Sequence, residues 1–276
     1  MAQTCYRHPN RETGVSCSSC GRPICPECMT PTPVGMRCPE CAGQRTRVVQ
    51  NPTGARTGFE AAPATFILIA INVIAFLAEI GAGSGGLGTM TGNAAIDNFG
   101  LLGTGVAEGE VYRLLTGGFL HAGLFHIGLN MVALYFLGRL LEPAIGTPRF
   151  VVLYFASLFA GSFGALEATE ATRVTVDASR AIFGLFGAAF VIARGRNLNA
   201  IAAELGVLLL INLAFTFGAR DISVVGHIGG LIGGVLCALV IVAGERGMVG
   251  PRPLPIELIA IAAVGVLSIV AGIAVA

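Results

Sequence analysis

An all-α, polytopic membrane protein carrying a small Cys-rich N-terminal module is the fold class this sequence predicts. Hydrophobic residues make up 54% of its 276 positions and charged ones only 12%, with a mean hydropathy of +0.77. A soluble domain carries far more surface charge. Apolar segments at about 64–82, 124–141, 149–167, 178–193, 199–217, 226–244 and 255–276 are each near the length that crosses a bilayer. Seven of the eight Cys lie between positions 5 and 41. The net charge is +1 and all 17 basic residues are Arg. With 39 Gly, that composition reads as codon bias rather than a nucleic-acid surface, and no nucleic-acid partner is expected.

The first element is a module over 1–43. Cys5-x2-His8, Cys17-x2-Cys20, Cys25-x2-Cys28 and Cys38-x2-Cys41 form four pairs with the same spacing. They supply eight ligands, the number that two tetrahedral Zn2+ ions need, and two intervening residues let both members of a pair turn onto one ion. A disulfide cluster is the alternative, but His8 completes the odd Cys count in favour of metal. Gly21, Pro23, Pro26 and Pro39 supply turns, and so short a segment lacks an adequate core without metal. The opening Cys-x2-His and the next two pairs resemble a B-box-type zinc finger, although the last pair is Cys where that family often has His. The resemblance implies interleaved binding, the first pair with the third and the second with the fourth. Both ions are expected to be structural, with a protein partner for the module's surface.

Residues 44–62 read as a linker, followed by a membrane domain over 63–247 and a further span over 254–276. Arg clusters on one set of loops and acidic residues on the other predict a cytoplasmic N-terminus in a multi-pass protein, expected in a bacterial cell membrane. With that topology the second, fourth and sixth spans enter from one side. His126, Asn130, Ser179 and His227 then share a level. The fourth span, about 16 residues, covers about 24 Å of a roughly 30 Å core. Its outer end therefore stops below the surface, where irregular backbone needs protein or a water-filled cavity around it. Ser179, at that helix N-terminus, suits a nucleophile, and His227 suits its base. His126 and Asn130, four residues apart on one helix face, suit an oxyanion site together with the Ser179 N–H. Gly230-x3-Gly234, with Gly184 and Gly187, predicts close packing of the fourth and sixth spans. Cys237 reads as a small core residue.

Residues 64–247 resemble the rhomboid intramembrane serine proteases. The resemblance lies in Tyr112-Arg113-Leu114-Leu115-Thr116, Phe119-Leu120-His121, His126-x3-Asn130-Met131, the Ser179 segment through Gly187, and His227-x2-Gly230-x3-Gly234. It implies a six-helix core with an added seventh span. It also implies a Ser179–His227 dyad without a third acid, oxyanion roles for His126 and Asn130, and no catalytic cofactor. Membrane-protein helices would be the substrates. Two family glycines are replaced here by Asp177 and Arg180, and Tyr112 stands where Trp is usual. Asp177 and Arg180 are expected to pair at the helix start and to crowd the nucleophile. The competing readings are a catalytically weak or inactive relative that binds membrane-protein clients, and a His-lined transporter for which Glu204 is the one clear acidic candidate.

Overall fold

The computed structural model describes residues 3–32, 35–43, 58–82, 93–218, 223–248 and 253–276. The chain divides into two compact units, Met1–Ala55 and Arg56–Ala276. Positions 44–57 of the expected linker lie outside the described residues, as do Arg45, Arg47, Arg56, Arg220, Asp221 and Arg252.

The N-terminal unit is not purely helical. Strands β1 (Gln3–Thr4) and β2 (Glu12–Thr13) pair antiparallel, as do β3 (Thr30–Thr32) and β4 (Gly35–Arg37), and α1 (Pro39–Gly43) follows. Its interior is Ile24 with six of its cysteines, flanked by Tyr6 and Met29. That is too little apolar surface to hold a fold alone.

The second unit is built of long helices. They are α2 (Pro63–Ala82), α6 (Leu124–Ile145), α7 (Thr147–Ala168), α8 (Ser179–Gly195), α9 (Asn199–Gly218), α10 (Val224–Glu245) and α11 (Pro253–Val275). Among the described residues, six helices are long and apolar enough to cross a membrane. The other, α8, has 17 residues and matches the short fourth segment. Three short helices unforeseen in the sequence, α3 (Ala94–Phe99), α4 (Gly103–Ala107) and α5 (Arg113–Thr116), fill the connection between α2 and α6. Arg113 ties α5 to the end of α3 through the carbonyls of Asp97 (3.0 Å) and Gly100 (2.8 Å).

Helix ends follow from local chemistry. Gly146, at φ 85°, turns α6 directly into α7, whose first turn carries Pro148. Glu142, only 1% exposed, accepts from the N–H groups of Ala64 (2.9 Å) and Thr65 (2.8 Å) and from the hydroxyls of Thr65 (2.7 Å) and Thr147 (2.8 Å). One carboxylate thus caps α2 from another helix and satisfies N–H groups that have no intrahelical partner.

Helices α7, α8 and α10 meet through glycine. A Cβ at Gly230 would overlap the Arg180 carbonyl oxygen, and one at Gly234 would overlap that of Gly184. On the α7 side, a Cβ at Gly161 would lie 2.9 Å from the Gly226 carbonyl oxygen. Backbone lies against backbone, the form of packing expected from small residues in membrane helices. Cys237 is fully buried in this core.

Candidate active site and metal centres

The loop before α8 is fixed at both ends. Leu101 and Thr175 exchange backbone hydrogen bonds (2.9 and 2.8 Å), and the Asp177 N–H donates to the Gly117 carbonyl (3.0 Å). That tether sets where α8 begins, with Ser179 as its first residue. Close approach of α8 and α10 through glycine brings Ser179 Oγ into hydrogen-bond contact with His227 Nε2. The Phe183 ring stacks on the imidazole, 4.1 Å between centroids and 16° between planes. Ser179 is 7% exposed and His227 2%.

Two further residues complete the cluster: Thr216, to which the sequence assigned no role, and Asp177, which was expected beside the nucleophile but paired with Arg180. Thr216 Oγ1 on α9 lies 2.8 Å from His227 Nδ1. Asp177 turns its carboxylate into the site: Oδ1 accepts from the Ser179 N–H (2.9 Å) and the Ser179 hydroxyl, and Oδ2 lies 2.8 Å from His227 Nε2. Asp177 Oδ1 is also 3.4 Å from His126 Nε2. His126 Nδ1 accepts the Ala122 N–H (3.3 Å), which leaves the ring proton on Nε2 and aims a donor at the carboxylate. Asn130, one turn further along α6, is 6% exposed, and its Nδ2 is buried without a hydrogen-bond partner.

The expected Asp177–Arg180 pair does not form. The fully buried guanidinium donates instead to Ser162 Oγ (3.3 Å) and Thr175 Oγ1 (3.0 Å), behind α8 and toward α7. The first turn of α8 rotates Arg180 away from Ser179, so only Asp177 crowds the nucleophile. Glu204 is exposed on α9, and the cluster that surrounds His227 does not include it.

The eight N-terminal ligands fall into two groups, Cys5–His8–Cys25–Cys28 and Cys17–Cys20–Cys38–Cys41, each with its ligand atoms within 4.8 Å of one another. This is the interleaving that the resemblance implies. His8 Nδ1 lies 3.9, 3.3 and 3.5 Å from the sulfurs of Cys5, Cys25 and Cys28, and Cys20 and Cys38 are 3.8 Å apart. Ligands around a tetrahedral ion with bonds near 2.3 Å would be separated by about 3.8 Å, so both groups are suited to hold a metal ion. Burial raises the Cys5 thiol, but hydrogen bonds from the backbone of Arg7, Cys25 and His8 outweigh it and bring it down to about 6. Backbone hydrogen bonding from Cys38 leads the pull that lowers Cys17 to about 6. Burial, with the neighbouring Cys5 and Cys25 sulfurs, pushes Cys28 up to about 11. Crowded thiolates that resist full ionisation are what a bound cation neutralises.

Comparison with known proteins agrees with this architecture. Residues 108–244 match the family described as Rhomboid domain. The chain is 35% identical over 207 residues to Rhomboid protease GluP of Bacillus subtilis (strain 168), covering 74% of this chain but 39% of that relative. It is 35% identical over 142 residues to the Putative rhomboid protease YdcA of the same organism, covering 50% of this chain and 71% of that protein. A similarity of 36% over 109 residues extends to Inactive RHOMBOID-like protein 8 of Arabidopsis thaliana, covering 39% of this chain and 30% of that relative. With 35% identity over 71% of the length of YdcA, on a helical bundle that encloses serine and histidine together, the chain belongs to the rhomboid family.

Proposed function

We propose that this chain is an intramembrane serine endopeptidase in which Ser179 is the nucleophile and His227 the base. The observation that most supports this is the contact between Ser179 Oγ and His227 Nε2 at the buried head of a short span. In the proposed reaction Oγ attacks the scissile carbonyl and its proton passes to Nε2. The Ser179 N–H, His126 Nε2–H and the partnerless Asn130 amide stabilise the oxyanion. His227 then gives the proton to the departing amine; in the second half water attacks the acyl carbon as Nε2 takes its proton, the bond to Ser179 Oγ breaks, and Oγ takes that proton back. No cofactor enters this chemistry. Substrates are helices of other membrane proteins, which reach a site enclosed by spans.

Asp177 adds a second feature. Its Oδ1 accepts from the Ser179 N–H and faces His126 Nε2, two of the three proposed oxyanion donors. A carboxylate there stands in for the charge of the tetrahedral intermediate, so the resting enzyme is slow until it withdraws. This favours, as the second reading, a weak or inactive relative that binds membrane clients.

The N-terminal unit is proposed to hold two structural Zn2+ ions in a B-box-like module over 1–43, offering a surface to a protein partner. A linker over 44–62 joins it to the membrane domain over 63–247, which the span over 254–276 extends. The Arg distribution supports a cytoplasmic N-terminus, and a bacterial cell membrane is the proposed location.

Labelling with a fluorophosphonate and cleavage of a generic membrane-helix substrate test the reading. Slow labelling confined to Ser179, abolished in Ser179→Ala and in His227→Ala, is the expected result. The two losses should be non-additive because the residues act as one unit. Labelling that persists in Ser179→Ala removes the assignment.

A further inference from the structure

We propose that Thr216 on α9 is a positioning residue that fixes the tautomer of His227. This inference rests on the serine-protease reading, in which His227 takes the proton of Ser179.

The hydrogen-bond donors leave little freedom. The Thr216 hydroxyl donates to the Asn212 carbonyl one turn back (3.0 Å), as threonines in membrane helices commonly do. Its oxygen then faces His227 Nδ1 at 2.8 Å with lone pairs only. A hydroxyl whose proton is engaged elsewhere is an acceptor, so Nδ1 carries the proton. In a neutral imidazole that leaves the lone pair on Nε2, the nitrogen that touches Ser179 Oγ. The same acceptor stabilises the imidazolium formed when Nε2 takes the proton. A base-orienting partner at Nδ1 is ordinarily a carboxylate; here a neutral hydroxyl occupies that position.

Burial along α9 points the same way. Beyond Leu205, Thr216 alone among the described residues of α9 is buried, at 2% exposure. Its neighbours Phe215 and Phe217 are 76% and 66% exposed. In a bilayer the phenylalanines lose nothing by facing lipid, whereas a hydroxyl turns inward to a polar partner, and the partner beside Thr216 is the imidazole.

Asp177 sharpens the argument. A carboxylate only accepts, so at 2.8 Å from Nε2 it favours a proton on that nitrogen. Thr216 is the competing acceptor, at Nδ1. Once Asp177 withdraws, Thr216 alone determines that the proton stays on Nδ1 and the lone pair on Nε2.

Two measurements on the purified full-length chain test this. The first is 15N NMR of the four histidines, with the His227 signals identified by their loss in His227→Gln. Nδ1 of His227 should be protonated in the wild type and in Thr216→Ser, and unprotonated in Thr216→Val, where the remaining proton moves to Nε2. The second is the fluorophosphonate labelling rate per folded molecule. Thr216→Val should lower its maximal rate about tenfold, with little change in the concentration for half-saturation, and Thr216→Ser should recover most of the loss. Equal Nδ1 protonation in the wild type and Thr216→Val, or an unprotonated Nδ1 in the wild type, overturns the proposal. So does a Ser variant as slow as Val, which would mark Thr216 as a packing residue of α9. If the wild type neither labels nor cleaves, the protease reading fails, and NMR, which needs no turnover, still decides the tautomer.

Discussion

Asp177 contacts the nucleophile, the base and an oxyanion donor at once. A hydrogen bond to a charged group is worth on the order of 1.5–3 kcal/mol, so removing this carboxylate should speed reaction at Ser179 by about tenfold or more. Asp177→Gly is expected to raise the labelling rate, Asp177→Asn to raise it less, and Arg180→Gly to give no gain. Rates measured at equal folded concentration check this, and a slower Asp177→Gly would place the carboxylate inside the working chemistry. The candidate nucleophile, base and oxyanion pair were legible in the sequence because Ser179, His227, His126 and Asn130 are polar groups at one level of an apolar chain. Thr216 was not. A threonine that satisfies its own hydroxyl within its helix costs little in a membrane and leaves no pattern. The aim of Asp177 was hidden as well. Three-residue spacing suggested an ion pair with Arg180, whereas the rotation of the first turn of α8 depends on contacts from Thr175 and Ser162 that lie on other elements.

At the scale of elements, the glycine seam holds the serine against the histidine. Gly230→Leu inserts a side chain where the Arg180 carbonyl already sits. Overpacking of this kind typically costs about 1–3 kcal/mol. The variant should show a lower Tm and reduced labelling together, whereas Gly81→Leu, with open space around it on α2, should leave both unchanged. Thermal unfolding in detergent separates the two. The long helices could be read from their apolar runs, and the seam from its four-residue glycine spacing. Helices α3, α4 and α5 could not, because each has six residues or fewer and carries no repeat long enough to show a period. They are held from outside: α3 and α5 by Arg113, and α4 by the Thr104 N–H on the Ala171 carbonyl beside the backbone pairing of Leu101 with Thr175.

The whole molecule joins two ways of stabilising a chain. In the membrane unit, buried apolar helices and backbone contacts suffice. In the N-terminal unit, the ligands stand where a core would. Metal analysis of the full-length protein should find two zinc ions per chain, and Cys17→Ser should lower the content to about one while the Cys5–His8–Cys25–Cys28 group keeps its ion. A content of one or none in the wild type would remove the two-site reading. Glu142 carries a different consequence, one that concerns the order of synthesis. Its carboxylate closes the start of α2 across 77 and 78 positions of sequence. While α2 is being made, the residue that will cap it has not yet been translated. The N–H groups at the start of α2 therefore have no Glu142 to donate to until the α6–α7 corner is made, so this cap closes late, when early and late spans pack together.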